Sequence, residues 1–213
     1  MLLAGRPRRL AALLAGFLPA LWLLVPVHEL LHAAGCALTG GAVSRLEIEP
    51  LFGGALLARV FPWIVAGGEY AGRLSGFAPA GDLSYLATVL LPHLALAPAG
   101  AALCRAAARR GRPALWGAAF AAAAQPLASL FGDFYEAAAI PLTAAAQRLG
   151  AAWAPALRGD DVQLVWRRVA ALGAAGPVVL FVAAAVAGVA LALALLRLSG
   201  GVAIRPGRAP ARG

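Results

Sequence analysis

Four long apolar stretches decide what this chain can fold into. Residues 10–27 carry no charge, and the run continues apolar past Glu29 to about Leu38. Residues 83–104 lie between Asp82 and Arg105, and residues 113–132 between Arg112 and Asp133. Residues 169–196 lie between Arg168 and Arg197. A helix needs about 20 mostly apolar residues to cross a bilayer. The expected fold is therefore an all-α polytopic membrane protein with four spans. A shorter run at 137–147 suits a helix that packs or re-enters without crossing.

Composition agrees. Hydrophobic residues make up 62% of the 213 positions and charged residues 13%, with a mean hydropathy of +0.82. Soluble domains carry roughly 25% charge. The deficit excludes a soluble enzyme and a disordered chain. The net charge is +9, and all 18 basic residues are Arg. They cluster beside the apolar runs, where membrane topology explains them better than nucleic acid does. Cys36 and Cys104 both sit inside apolar runs, which fits small buried hydrophobes and no disulfide framework.

The N-terminal Arg6, Arg8 and Arg9 followed by an apolar run resemble a signal peptide, and 33–36 (Ala-Ala-Gly-Cys) resembles a lipoprotein cleavage site. The run is long and carries His28, Glu29 and His32, which an export signal has no use for. It is read as a retained span. Arg-rich segments without acids occur at the N-terminus, at 105–112 and in the tail at 199–213. The positive-inside rule then places both termini in the cytoplasm of a bacterial cell, with Tyr85, Tyr135 and Trp153 near the outer interface and Trp116 near the inner one. The whole chain, 1–213, is expected to form one membrane-embedded unit. Its core is 10–136, followed by a C-terminal helix at 169–198.

The first connection has its own pattern. Ala42, Ser44, Leu46 and Ile48 alternate with Val43, Arg45, Glu47 and Glu49, a period of two. Gly53-Gly54 offers a turn, and 55–61 is expected to return as a second strand, making a small β-hairpin between the first two spans. The Ala- and Gly-rich stretches at 117–124 and 183–188 suit close helix packing.

One motif carries chemistry: His28-Glu29-Leu30-Leu31-His32, H-E-x-x-H inside an expected helix. Residues at i and i+4 share a helical face, with Cβ atoms about 5–6 Å apart. Two imidazoles there can hold one Zn2+ at about 2.0–2.1 Å. Glu29 flanks that face and is placed to take a proton from water that zinc acidifies to a pKa of about 7. Ionisable groups at the bilayer centre cost roughly 2.5–3.5 kcal/mol each, so they are functional candidates.

A catalytic zinc needs a third protein ligand. The extended H-E-x-x-H-x-x-G-x-x-H pattern is half present: Gly35 fits, but Leu38 stands at the last His. The remaining candidates are His93, Asp133 and Glu136. His28 and His32 lie about 18 and 22 residues into the first span and Asp133 about 20 into the third. Asp133 is the expected ligand and Glu136, one turn on, a reserve ligand or supporting partner. His93 is read as a hydrogen-bonded interior histidine. Zinc, Asp133 and one further negative charge sum to zero, which a low dielectric favours.

The HELLHAAG segment in an early span, with Gly132-Asp133 two spans later at matching depth, resembles the site-2 protease family of intramembrane zinc metallopeptidases. That resemblance covers roughly residues 10–136. It implies a three-helix catalytic core, with His28, His32 and Asp133 as ligands and Glu29 as general base. It also implies a membrane-dipping hairpin, to which residues 42–61 are similar in pattern and place. The family's aspartate motif usually reads Asn-x-x-Pro and then Leu-Asp-Gly. Here Gln125-Pro126 precedes Leu130-Phe131-Gly132-Asp133, and no PDZ-like domain is present. In the family the first core helix usually enters from outside, with the zinc nearer the cytoplasm. The Arg count here puts it nearer the outer face.

The expected function is hydrolysis of peptide bonds in membrane-associated substrates. A substrate strand would add to the strand at 42–48. The rival is a membrane protein without catalysis, either a silent metal- or partner-binding relative or a metal transporter. A transporter should line a path across the membrane with polar groups, whereas these, apart from His93, group at one depth.

Overall fold

In a computed structural model that describes residues 7–200, the apolar run after the N-terminal arginines forms one helix, α1 (Pro7–Leu38). Pro19 and Pro26 lie inside it, and each removes the amide that would bond the carbonyl four residues earlier. The helix stops where Thr39 Oγ1 donates to the Gly35 carbonyl at 2.6 Å and Gly40 takes a φ of 84°, a glycine-favouring conformation.

Strand β1 (Ala42–Ile48) follows, and its period-two pattern buries Leu46 and Ile48. The return strand expected at 55–61 is instead a helix, α2 (Gly54–Val60). Its Ala-Leu-Leu-Ala-Arg stretch lacks alternation and consists of strong helix formers. The partners of β1 come later in the chain. Strand β2 (Ile64–Ala66) runs parallel to it and β3 (Gly72–Ala78) antiparallel, so the order is β2-β1-β3. The connection is therefore a three-stranded sheet with β1 in the middle. Leu46, Ile48 and Ile64 form its small core, and Leu30, in the middle of H-E-x-x-H, packs against it. The Trp22 indole donates to the Leu51 carbonyl at 2.7 Å, a second tie to α1.

The chain returns along α3 (Asp82–Arg109), turns at Gly111 and enters α4 (Pro113–Ala123), which packs on α1 and α3. The third apolar run does not make one helix. After α4 comes a single turn, α5 (Gln125–Ala128), then non-helical backbone to Gly132, then α6 (Asp133–Arg148). Pro126 cannot donate back to Ala122, and residues 129–132 leave the helical path. The short run at 137–147 belongs to α6, which packs on the last long helix. Helix α7 (Val162–Ala171) leads into that last helix, α8 (Ala175–Leu198).

Three helices, α1, α3 and α8, are long and apolar enough to cross a membrane. That is compatible with an integral membrane protein. Their contacts are tight at glycines. A Cβ on Gly16 would stand 1.8 Å from the Ala114 carbonyl oxygen, and one on Gly117 2.1 Å from that of Leu13. Gly188 admits the Phe134 carbonyl to α8 in the same way, as expected of the Ala- and Gly-rich stretches.

The arginine clusters fall at one end. The α1–α4 contact puts the start of α1 beside the α3–α4 turn, and Arg105 donates to the Ser199 carbonyl at 3.2 Å. Arg6, Arg205, Arg208 and Arg212 lie outside the described residues. Of the tyrosines expected near the outer interface, Tyr135 packs inside the protein and Tyr85 is partly buried beside the cavity. Tyr135 is fully buried with its hydroxyl on the Leu157 carbonyl, and the Tyr85 hydroxyl donates to Glu136. A buried Tyr needs such a partner for its polar tip. Cys36 and Cys104 are buried free thiols, as expected.

Candidate metal centre

His28 and His32 project from one face of α1, and their Nε2 atoms are 3.0 Å apart. Helix α3 fixes the second of them. Gly35 lies so close to α3 that a Cβ there would stand 2.4 Å from the Ala87 carbonyl oxygen. That approach brings the Thr88 carbonyl to His32 Nδ1, at 2.8 Å. Pro92, four residues on, has no amide to offer that carbonyl, so it is free to accept. Nδ1 of His32 therefore carries the proton, and the Nε2 lone pair faces His28.

Asp133 arrives from the other side. It is the first residue of α6, where the helix N-terminus favours a carboxylate. Buried Phe134 and Tyr135 anchor it, the latter in a core with Leu157, Val165, Val169 and Ala184. Its Oδ2 lies 3.2 Å from His28 Nε2, 3.7 Å from His32 Nε2 and 2.8 Å from His93 Nε2. His93, on α3, has no exposed side-chain surface. The three expected ligands are thus brought together, with His93 in the same cluster.

The donor set fits a metal. Ligands on a tetrahedral zinc with bonds of about 2.0–2.1 Å stand about 3.3 Å from one another. The separations among His28, His32 and Asp133, 3.0, 3.2 and 3.7 Å, bracket that value. Two imidazole nitrogens and a carboxylate oxygen at these separations could hold a cation. His28, His93 and Asp133 likewise offer ligand atoms within 4.8 Å of one another, a set that can hold a metal ion.

Glu29 offers a carboxylate oxygen within 4.8 Å of the ligand atoms of His28 and His32. Strand β3 presses on it from the sheet side. A Cβ on Gly72 would stand 2.5 Å from Glu29 Cγ. Glu136 lies one turn beyond Asp133, bonded to the Tyr85 hydroxyl. It touches neither histidine, so its place is beside the ligand set. Gln125, the first residue of α5, donates back to the Ala121 carbonyl of α4 at 3.4 Å.

All these groups except His93 and Gln125 border one cavity of about 1280 Å³. One wall is β3, whose outer edge is unpaired among the described residues. Residues 128–129 and 131–133, at the break between α5 and α6, form another part. At the mouth, the loop before β3 reaches the segment before α7. The Tyr70 hydroxyl donates to Asp161 Oδ2 at 3.1 Å, and Arg73 lies 3.7 Å from Asp160 and over the Tyr70 ring. Asp161 also accepts the Leu164 amide at 2.9 Å, capping α7. That amide first, and Tyr70 in addition, hold Asp161 below the usual carboxylate range, while the Asp161 bond pushes Tyr70 up.

Sequence reasoning passed over Thr88, Pro92 and Gly72. A proline four residues after Thr88 inside an apolar run was the available sign of a freed carbonyl. Gly72 carries no sign without knowledge of what β3 faces. Comparison with family models, curated proteins and solved structures returns no match for this chain.

Proposed function

We propose that this protein is an intramembrane zinc metalloprotease of the site-2 protease type. One observation carries the proposal: the H-E-x-x-H pair meets Asp133 from a second segment while Glu29 faces the same point and the same cavity. His28, His32 and Asp133 would hold the zinc. Zinc, when bound, acts as a Lewis acid toward a peptide carbonyl and acidifies water to a pKa of about 7. Glu29 takes the proton of the attacking water and returns it to the leaving amine.

The substrate is a membrane-associated protein or peptide that must expose a carbonyl hidden in its own helix. Strand β1 lies between β3 and, over Leu46–Ile48, β2, and it is β3 rather than β1 that borders the cavity. The free edge of β3 takes the role expected of residues 42–48, aligning an extended substrate segment along the cavity by β-augmentation. The basic end faces the cytoplasm of a bacterial plasma membrane by the positive-inside rule, which puts the cavity nearer the outer face. Four crossings require the broken segment from α4 to α6 to complete the third. A transporter fits less well, because α1 and α4 pack at glycine contact toward the basic end, at Gly16 and Gly117.

The test is Glu29→Gln, with zinc analysis of the purified protein beside a comparison of membrane-protein fragments in cells carrying either form. Retained zinc with lost fragments is expected. Identical fragment profiles overturn the protease assignment, and a wild-type protein without bound metal overturns the metal site.

A further inference from the structure

We infer that His93 is a positioning residue of the metal centre, donating from Nε2 to Asp133 Oδ2 and holding that carboxylate in its ligating orientation. This rests on the metal site proposed above and goes beyond it, since His93 is no member of the H-E-x-x-H set or of the aspartate segment.

Asp133 needs such a partner. It follows four residues of non-helical backbone and opens a helix, and no hydrogen bond from its own described segment holds its carboxylate. Among the described residues its carboxylate has hydrogen-bond contacts with His28 and His93 alone. Once His28 Nε2 is committed to a metal, His93 is the one side chain left to orient the carboxylate. Ligating carboxylates are generally held by such outer hydrogen bonds.

Two observations favour a donor over a fourth ligand. The His93 Nε2 to Oδ2 separation, 2.8 Å, is the length of a charge-assisted N–H···O bond and shorter than the roughly 3.3 Å between two ligands of one zinc. The ring is also fixed. It packs at 4.6 Å from the Phe134 ring and at 5.1 Å from that of His28, and Pro92 immediately before it is buried in the same helix. A rigid imidazole between α1 and α6 couples the histidine helix to the aspartate helix.

The experiment compares wild type, His93→Gln and His93→Phe, purified in detergent. Zn2+ affinity is measured by chelator competition and Co2+ coordination by visible absorption. His93→Phe should bind zinc about 10–100-fold more weakly. His93→Gln keeps an N–H donor and should recover most of that loss, with the cobalt bands of wild type. If His93→Phe does not fold, His93→Ala replaces it. Equal weakness of the Gln and Phe forms with altered cobalt bands makes His93 a ligand and overturns the inference. Wild-type affinity in the Phe form reduces His93 to core packing and overturns it too. Failure of the wild type to bind either metal removes the metal site itself, a separate result.

Discussion

Pro92 and His32 are joined through one carbonyl. By lacking an amide, Pro92 leaves the Thr88 carbonyl unclaimed within α3, and His32 Nδ1 lies 2.8 Å from it. Pro92→Ala returns the helical donor and draws that carbonyl back toward the helix axis. Zinc affinity should fall by about tenfold, the lower end of the range for outer hydrogen bonds to ligands. Pro98→Ala is the control, since the carbonyl it would reclaim belongs to exposed Leu94. Chelator competition that gives both variants the same affinity would remove the link.

Gly72 leaves no room for a methyl group beside Glu29. Gly72→Ala should therefore turn the carboxylate away from the histidine pair while leaving His28, His32 and Asp133 in place. Metal content measured by mass spectrometry should match wild type, and cleavage of membrane substrates should be lost. Gly81→Ala, where an added Cβ meets nothing within 4 Å, should be silent in both.

The contacts across the cavity mouth are weak by design of their surroundings. The Arg73–Asp160 pair leaves 36% and 49% of its side chains exposed, so it contributes about 0.2–1 kcal/mol at most. Arg73→Ala should barely move the melting temperature. It should speed the labelling of a cysteine placed at Ser129 on the cavity wall, read with a soluble maleimide. Added salt should speed labelling in wild type and have little effect in Arg73→Ala.

Asp161 makes the mouth sensitive to acid. Its folded pKa lies below its unfolded value, so its contribution is complete above the ordinary carboxylate pKa of about 3.9 and fades as pH falls through the lower folded value. The stability difference between wild type and Asp161→Ala should be constant above about pH 5 and shrink below about pH 4. A difference that grows on acidification, followed by thermal unfolding, contradicts the assigned cap.

Much of the frame was legible because it depends on local properties. The apolar runs at 10–38, 83–104 and 169–196 marked the long helices α1, α3 and α8 to within about six residues at each end. The i, i+4 spacing of His28 and His32 needs only a helix. Asp133 was reachable by depth alone. What could not be read depends on distant partners. Alternation revealed β1, yet β2 and β3 as its neighbours follow from packing against Leu30 and α1. The run at 113–132 looked continuous because hydropathy registers side chains, while Pro126 and residues 129–132 interrupt the main chain. Depth set His93 apart in the sequence, about ten residues from the outer end of its span, yet α3 brings its Nε2 to 2.8 Å from Asp133 Oδ2.

The interruption between α5 and α6 has a consequence for water. Backbone without helical bonding survives at membrane depth only inside protein or beside water. Ser129, Phe131 and Gly132 border the cavity, so hydration can reach the metal ligands from the mouth side. Toward the arginine-rich side, Gly16 and Gly117 bring α1 and α4 so close that neither position has room for a methyl group. Among the described residues the cavity is thus a well, open to water on the side of His28, His32 and Asp133 and backed by the close α1–α4 contact on the other.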